Sequence, residues 1–514
     1  MDLGEHIKQH SALGASLGGK TKTAGVGGEH STINAAIASF GSRYIARTNY
    51  LGAAIASISA TFTNGSATVT TAGTFEISVN ATGGLGVMLN DFLAPGGRRY
   101  RVKFRNSATS IVLWENFVGT TGAYTVSYER ISHALVMMLP GEAPEFVTMV
   151  PGVHVQGLNR DACLFGFDRP FAPVGSLLGD NSLANITIGP VFSFLAIDNL
   201  ISDLVEYAGS TFTYDNILFR VMNEGNSHSG GGFHLSTLPG GTIYLKNSDV
   251  LLGDQPFDII SIGDATRRSR VEITNTNIIQ VPGHQSGGVS GGFIVYGFTD
   301  SFNATDYHDF YFSDVNINFP DMLRNPVTAG TFGAIQATGV NNTWELNNVT
   351  SVVTNSNASA AATERAGCVQ VTAGIVRING CNLKAGGSNT AGASGIALDV
   401  SGGTVYLENT TLEGNQFAIR QTGGTVYVGK GVTLNGPVSG TLLSEIRGVA
   451  TLVAGTVTIS TTKVHTASRI KLCHQTTGGT VGVLTLGTVI NNTSFVINSS
   501  NVLDTSVVLW ELEH

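Results

Sequence analysis

Carboxylates and histidines, the side chains that could perform acid–base chemistry, gather in the middle of this chain. They are Glu224, Asp254, Asp258, Asp264, Asp300, Asp306, Asp309, His228, His234, His284 and His308. Two carboxylates about 5 Å apart, or about 6.5–9.5 Å apart, cleave glycosidic bonds when one of them has a raised pKa. We take Asp254, Asp258, Asp306 and Asp309 as the candidates for such a pair.

No metal or cofactor site is predicted. The densest cluster is Asp306-Tyr-His-Asp309, but strand alternation would turn His308 away from Asp309. His228 and His234 enclose Ser-Gly-Gly-Gly-Phe and are interpreted as a loop rather than a ligand pair. The Gly-rich runs lack the Lys and the following helix of a phosphate-binding loop. We therefore expect no metal and no cofactor.

One short phrase returns through the chain from residue 211 to residue 436 and indicates the elements that position these groups. Its copies begin at Phe212, Ile243, Val271, Phe310, Trp344, Val376, Val405 and Val426. The spacing varies from 21 residues (405 to 426) to 39 residues (271 to 310), as loop insertions would produce. Repeats of this length are typical of stacked structural units.

Each phrase reads as a half-buried strand followed by a sharp corner. Its first and third residues are apolar and its second is polar or aromatic, which is the period of a strand. Its fifth residue accepts a left-handed backbone in most copies, as in Asn216, Asn247, Asn275, Asp314, Asn348 and Asn409. The pattern predicts one coil of a parallel β-helix.

A second set of strands precedes several phrases and supplies another face of each coil. Examples begin at Cys368, Ile396 and Phe417, and the last two are followed by Gly-Gly-Thr bends. Stacking at about 4.8 Å would pair every strand with its counterparts in the adjacent coils. We expect a rod with Val271, Phe310, Trp344, Val376 and Val405 pointing into its core.

The second residue of each phrase should point outward, and these residues should form a column along the rod. The column contains Tyr244, Glu272, Tyr311, Glu345, Arg377, Tyr406 and Tyr427. Aromatic rings beside polar groups could stack on sugar faces, or the same column could form the seam between three parallel rods. The residues leave both interpretations open.

Composition restricts the class of partner. Of 514 residues, 12% are charged, against about 25% in ordinary soluble domains, and the net charge is −8. A surface rich in hydroxyl and amide groups suits carbohydrate better than nucleic acid, which requires a basic patch.

Without an apolar run of about 18 residues or a secretory signal, we expect cytosolic synthesis and no membrane insertion. Cys163, Cys368, Cys381 and Cys473 are expected to be reduced and packed.

The chain divides into four regions. Residues 1–50 read as a flexible head with one short helix capped by Ser31 or Thr32, and residues 51–130 as a small antiparallel β domain. The β-helix is expected over 131–440 and a C-terminal β module over 447–514. In the small domain, alternation predicts Arg101, Lys103 and Arg105 on one strand face, solvated or in contact with an acidic partner.

Two stretches resemble known families. Residues 134–159, with Leu139-Pro-Gly and Val150-Pro-Gly, resemble the opening coil of pectate-lyase-like right-handed β-helix proteins. The C-terminal region, with Thr456-Val-Thr-Ile-Ser-Thr, Gln475-Thr-Thr-Gly-Gly-Thr-Val-Gly and a terminal Ser-x-Val-x-Trp, resembles the C-terminal module of bacteriophage and DNA-virus spikes and fibres. This second resemblance implies a homotrimeric virion appendage whose C-terminal module caps or trimerises the rod.

Two functions follow from the resemblance, and a third class is disfavoured. One is a structural tail spike or fibre that attaches to the virion through residues 1–50 and displays a surface for a host glycan or receptor. The other is a depolymerase spike that cleaves surface polysaccharide with paired carboxylates. A bacterial adhesin would share the rod but would ordinarily need a secretion signal. The absence of a clear carboxylate pair favours the structural appendage.

Overall fold

The computed structural model describes most of the chain between residues 21 and 513. The described residues are 21–46, 56–75, 92–143, 147, 149–165, 181–191, 209, 211–221, 233–234, 241–252, 257–258, 268–280, 298–299, 308–323, 330–355, 364–387, 394–443, 447–461, 463–466 and 468–513. Within them the fold is all-β, with one short α-helix and one 3-10 turn.

Each complete coil contains three strands, one from each of three parallel ladders, and the described strands of the third ladder begin at Phe298. In one coil, Thr343–Asn347 belongs to the first ladder, Thr350–Asn355 to the second and Glu364–Val371 to the third. The next coil begins at Ile375–Asn379, which returns to the first ladder. Because all rod pairings are parallel, the predicted parallel β-helix is confirmed.

The ladders account for most strands of the described residues. The first ladder contains Thr21–Ala24, Ala134–Met138, Val153–Gly157, Asn181–Ala184, Thr211–Asp215, Thr242–Lys246, Thr343–Asn347, Ile375–Asn379, Thr404–Glu408, Thr425–Val428 and Leu442–Leu443. The second contains Gly141–Ala143, Cys163–Phe165, Thr187–Val191, Leu218–Val221, Asp249–Leu252, Thr350–Asn355, Asn382–Gly387, Thr411–Gly414 and Thr433–Asn435. The long strands Ser269–Gln280 and His308–Leu323 turn the corner and serve both ladders.

The third ladder and a short pair complete the rod. The ladder contains Phe298–Thr299, Gly330–Ala337, Glu364–Val371, Ser394–Val400, Phe417–Gln421 and Val438–Ser439. The short parallel pair is Phe233–His234 with Phe257–Asp258.

The interior of the rod is a continuous apolar core, as the repeated phrase predicts. Val271, Trp344, Val376 and Val405 are fully buried and Phe310 is 1% exposed. The Phe310 and Trp344 rings stack with centroids 4.1 Å apart, because equivalent inward positions of adjacent coils lie directly above one another. The core therefore also fixes the alignment of successive coils.

The corners between the first and second ladders have the left-handed backbone that the sequence predicts. Positive φ values occur at Asn216, Asn247, Asn275, Asp314, Asn348 and Asn409, between 47° and 57°. Their side chains also bond between coils: Asn275 Nδ2 donates to Asn247 Oδ1 at 2.9 Å, and Asn247 Nδ2 donates to Asp215 Oδ1 at 2.8 Å. A residue type chosen for its backbone conformation thus adds a polar ladder along the edge of the rod.

Glycine is required at the bends that return the chain from the third ladder to the first. Gly403 and Gly424 have φ of 68° and 65°. A Cβ at Gly403 would lie 2.7 Å from the carbonyl carbon of Ala373 in the preceding coil. Only glycine allows coils to approach this closely at the bend.

The N-terminal region differs from the flexible head expected over residues 1–50. Thr21–Ala24 pairs in parallel with Ala134–Met138 and forms the outermost strand of the first ladder. The α-helix Ile33–Ala38, with Thr32 Oγ1 accepting from Ala35 N at 3.1 Å, buries Ile33, Ala36 and Ile37 in the rod core. This segment covers an end of the core that water would otherwise reach, which is the physical reason that it packs. Residues 1–20 lie outside the described residues.

The small domain is an eight-stranded antiparallel sheet with its own apolar core. Its strands, in spatial order, are Tyr44–Ala46, Tyr128–Ile131, Phe92–Leu93, Tyr100–Ser107, Ser110–Leu113, Thr68–Thr70, Ile58–Phe62 and Gly122–Val126, with a 3-10 turn at Pro95–Gly97.

Strand Tyr100–Ser107 departs from the predicted alternation in this domain. Its register shifts between Val102 and Phe104, and Phe104 is 43% exposed, although alternation places it on the face opposite Arg101, Lys103 and Arg105. Arg101, expected on a solvated face with Lys103, is only 8% exposed because its Nη1 donates to Gly209 O beside the rod. From Lys103 onward both faces of the strand are exposed, so the predicted alternation ends at this bulge.

The C-terminal module contains two three-stranded antiparallel sheets. One comprises Arg447–Thr451, Val507–Glu513 and Arg469–Thr476, and the other Thr456–Ser460, Ser494–Ser499 and Leu484–Ile490. Asp504 is fully buried, and hydrogen bonds from Ser499, Ser506 and Gly482 hold the pKa of its carboxyl well below the ordinary value.

The four cysteines are free thiols, and three of them match the prediction of packed side chains. Cys163, Cys368 and Cys381 are buried in the rod, where burial raises the pKa of Cys368 to about 12. Cys473 is exposed instead, because it lies at an outward position of strand Arg469–Thr476.

Replacing Asn247 should separate the two contributions of a corner residue. Asn247→Ala removes both side-chain hydrogen bonds, about 1 kcal/mol each, and adds the strain of a left-handed alanine, about 1–2 kcal/mol. Asn247→Gly removes the hydrogen bonds without the strain. We expect a lower apparent melting temperature in thermal unfolding for Asn247→Ala than for Asn247→Gly. Equal melting temperatures would show that the backbone conformation costs nothing there.

Candidate functional site

The seven outward residues predicted from the repeated phrase lie in one continuous column. Register pairing joins Tyr244 to Glu272, Glu272 to Tyr311, Tyr311 to Glu345, Glu345 to Arg377, Arg377 to Tyr406 and Tyr406 to Tyr427. The column continues in the other direction through Thr213, Ser182, His154 and Leu135. Their role as a glycan surface or a trimer seam stays a prediction.

In the middle of the column, Arg270 links acidic and aromatic groups. Its Nε donates to Glu272 Oε1, and its guanidinium carbon lies 5.7 Å from the Tyr311 ring centroid. Partial burial raises the pKa of Tyr244, and the charge of Glu272 acts in the same direction. The tyrosine hydroxyl therefore stays protonated and can donate a hydrogen bond.

Asp309 lies beside this column with a perturbed carboxyl. Partial burial raises the pKa of Asp309, and the nearby Glu345 adds to this, whereas Arg268 and Arg270 oppose it. Arg268 Nε lies 3.0 Å from Asp309 Oδ2. Asp309 pairs with Thr343, two residues before Glu345, so their Cα atoms are about 8 Å apart from strand geometry. A carboxyl with a raised pKa near a second carboxylate is the arrangement that acid–base cleavage requires.

Of the remaining candidates, Asp258, His234 and His308 lie within the described residues. Asp254 and Asp306 lie outside the described residues, as do Glu224, Asp264, Asp300, His228 and His284. The backbone of Asp258 pairs with that of His234 in the short parallel pair. His308 is fully buried, whereas Asp309 is partly exposed, as strand alternation predicts.

A cleft closes over the far end of the column, where the C-terminal module meets the rod. Its volume is about 370 Å³, and it is lined by Glu345, Asn347, Arg377, Ile378, Asn379, Tyr406, Glu408 and Lys463. Lys463 comes from the C-terminal module, and its Nζ bonds to Glu408 Oε1 on the rod. We call this the C-terminal cleft.

Aromatic and charged groups are ordered in this cleft. The Tyr406 and Tyr427 rings stack with centroids 5.0 Å apart and planes 9° apart. The Arg377 guanidinium carbon lies 5.1 Å from the Tyr406 centroid on the other side. Stacked rings fixed by strand register offer a preformed apolar face, and the neighbouring charges offer hydrogen bonds at its rim.

Several residues of the site could not be identified from the repeated phrase. Arg268 and Arg270 precede the phrase that begins at Val271, and only the pairing of coils brings them to Asp309. Glu408 is the fourth residue of its phrase and was not among the predicted site residues. Its position two residues after Tyr406 places it on the same outward face, and this alternation could have identified it. Lys463 gave no signal, because its contact joins residues 55 positions apart.

The described part of the chain holds no cluster of three or more His, Cys, Asp or Glu side chains that could ligate a metal. Among the same residues, no helix has the length and apolarity to cross a bilayer.

Residues 444–512 match the sequence model of the family described as the C-terminal domain of K1 capsule-specific polysaccharide lyase. This match confirms the resemblance of the C-terminal module to that of phage spikes and fibres. No curated protein sequence matches the chain.

Solved structures similar to this chain include three phage tailspikes. The Pseudomonas phage phi297 tailspike gp61 has 11% identity and a TM-score of 0.31, over 89% of this chain and 80% of that one. The tailspike gp49 of Pseudomonas phage LKA1 has 13% identity and a TM-score of 0.21, over 91% and 82%. The tailspike gp49 of Acinetobacter baumannii bacteriophage Fri1, a capsular polysaccharide depolymerase, has 9% identity and a TM-score of 0.23, over 74% and 79%.

Proposed function

We propose that this chain is a tailspike or fibre of a phage virion that binds a host surface glycan, in particular capsular polysaccharide, along the outward column. The observation that carries the proposal is the C-terminal cleft. In this cleft, the stacked tyrosines and Arg377 of the rod lie close to Lys463 of the C-terminal module. The family that this module matches is named for a capsule-specific polysaccharide lyase.

The chemistry of the column suits a polysaccharide chain. Tyrosine rings present apolar faces to sugar rings, while Arg377, Glu345 and Lys463 can bond hydroxyl and carboxylate groups. Parallel register repeats the outward positions about every 4.8 Å along the rod, so an extended polymer can be contacted at many points. Because strands hold these side chains, little ordering entropy is lost on binding.

The same column was also predicted as a possible seam between three rods, and the C-terminal cleft argues for the glycan. A seam between identical chains is expected to bury apolar side chains. Here Glu345, Arg377 and Glu408 face the cleft, and Lys463 of the same chain already covers it. Burying these charges in a close-packed seam would carry a large desolvation cost.

Truncating the aromatic stack should weaken glycan binding. Tyr406→Ala should cost about 1–1.5 kcal/mol, roughly a tenfold rise in Kd. The measurement is titration calorimetry with the member of a panel of purified capsular polysaccharides that the unmodified chain binds. Arg377→Ala should also weaken binding.

Lys384→Ala is the matched control. Lys384 is exposed on the second ladder in the coil that contains Arg377, so its replacement should leave Kd unchanged. Equal affinity of Tyr406→Ala and the unmodified chain, or failure of every polysaccharide in the panel to bind, would contradict the proposal.

A second candidate function is cleavage of the bound glycan, and one specific observation favours it. Burial raises the pKa of Asp309 near the Glu345 carboxylate, which is the direction that a general acid requires. In such a site Asp309 would protonate the leaving oxygen, and Glu345 would act as the base or nucleophile. The outward position of both residues places this pair on the same face as the binding column.

Cleavage makes a specific prediction for Asp309. Asp309→Asn should lower the release of new chain ends at least about 100-fold while the polysaccharide still binds. Activity should fall as pH rises through the raised pKa of Asp309. Arg268→Gln removes an opposing charge and should extend activity to higher pH. Glu413→Gln on the second ladder is the control, and full activity of Asp309→Asn would exclude this pair.

We also propose that the chain assembles as a homotrimer and sits on the virion surface, attached through the region of residues 1–50. Support for assembly comes from apolar side chains exposed on the C-terminal module. Val453, Val483, Val502 and Leu503 are each 64–72% exposed. Such a patch on a soluble protein marks an interaction surface.

Charging this patch should dissociate the assembly. Sedimentation equilibrium of the full chain should give three times its 53.6 kDa mass, and Val483→Lys with Val502→Lys should give the single-chain mass. Val118→Lys is the control, since Val118 is 63% exposed in the small domain. A single-chain mass for the unmodified protein would refute the trimer but leave glycan binding testable.

A further inference from the structure

A second cavity lies at the other end of the outward column, where the small domain meets the first coils. Its volume is about 540 Å³, and Arg101, His133, His154, Asn181 and Ser182 are among its lining residues. Arg101 comes from the small domain, whereas His154 and Ser182 are outward residues of adjacent rod strands. We call this the N-terminal cavity.

Three of the lining side chains form a hydrogen-bonded relay. Ser182 Oγ lies 2.8 Å from His154 Nδ1, and His154 Nε2 lies 2.9 Å from His133 Nδ1. The consistent tautomer has the serine hydroxyl donating to His154 Nδ1 and the His154 Nε2–H donating to His133 Nδ1. A hydroxyl bonded to a base, with the base oriented by a third group, is the arrangement that activates serine as a nucleophile.

The relay is held rigidly by the elements around it. His154 and Ser182 pair in register on Val153–Gly157 and Asn181–Ala184. Arg43, which is 3% exposed, donates from Nη2 to the His133 backbone oxygen at 3.0 Å. A fixed orientation of this kind reduces the reorganisation needed when a proton moves.

Two more groups shape the cavity. Asn181 is 2% exposed at the inward position next to Ser182, and its Nδ2 donates to Val150 O and Val153 O, which anchors the strand that carries Ser182. The guanidinium of Arg101 supplies positive charge in the same cavity.

We propose that the N-terminal cavity hydrolyses a carboxylic ester with a small acyl group, such as an O-acylated sugar. Ser182 Oγ attacks the acyl carbon as His154 Nδ1 takes the hydroxyl proton. His154 returns that proton to the departing alcohol, which leaves an acyl-serine. Water, deprotonated by His154, then releases the carboxylic acid and restores Ser182. His133 is a positioning residue, and Arg101 stabilises the negative charge that develops on the acyl oxygen.

The chemistry of the relay distinguishes this reaction from glycosidic cleavage. The relay contains a hydroxyl and two imidazoles but no pair of carboxylates, which glycosidic cleavage requires. It also lies at the opposite end of the column from the C-terminal cleft. The proposal therefore holds or fails independently of glycan binding.

The test uses the full chain with 4-nitrophenyl acetate as the substrate and a fluorophosphonate as a covalent probe of the nucleophile. We expect ester hydrolysis above the uncatalysed rate and labelling of Ser182, located by peptide mass spectrometry. Ser182→Ala should abolish labelling and lower kcat/KM about 100-fold or more, as should His154→Gln. His133→Asn should lower kcat and change its pH profile while KM is kept.

Thr411→Val is the matched control, because Thr411 is a half-buried residue of the second ladder, away from the N-terminal cavity, and loses its hydroxyl with little change of shape. It should hydrolyse the ester at the rate of the unmodified chain. Melting temperatures of all variants check that the fold is retained. Absence of hydrolysis by the unmodified chain, labelling elsewhere than Ser182, or full activity of Ser182→Ala would overturn the proposal.

Discussion

The structure depends on backbone hydrogen bonding between successive coils. A parallel strand in the interior of the rod satisfies its amides and carbonyls only when the coils on both sides present strands in the same register. The chain meets this requirement by turning the corner sharply, with left-handed Asn or Asp residues between the first and second ladders. Register then fixes everything else, including the alignment of the core and of the outward column.

The outward face of the first ladder gathers the candidate functional groups because both attached domains meet it. Arg101 of the small domain borders the N-terminal cavity, and Lys463 of the C-terminal module borders the C-terminal cleft. Between them, Tyr244, Glu272, Tyr311 and Asp309 form a partly covered stretch rich in charge. The rod itself supplies a straight surface, and the domains at either end convert parts of that surface into concave sites.

Local pattern predicted the coil, the corners and the column, since each depends on residues within one phrase. The alternation that buries Val271 also turns Glu272 outward, and a sequence shows both at once. Contacts between segments that are distant in the sequence produce no local pattern that could predict them. The strand Thr21–Ala24 pairs with Ala134–Met138, Lys463 meets Glu408, and Ser182 meets His154 only after the coils have stacked. The bulge in Tyr100–Ser107 was missed because one extra residue is invisible to a periodicity of two.

Because side chains alternate along each strand, inward and outward residues are under different evolutionary constraints. Inward positions such as Phe310 and Trp344 are constrained by neighbours above and below, whereas the residues next to them in sequence contact only the exterior. Mutations can therefore accumulate on the outer surface without disturbing the folding of the rod. An exchange of whole coils between related genes would likewise preserve the stacking. Such a scaffold allows a lineage to follow changes in the surface it recognises while its architecture is inherited unchanged.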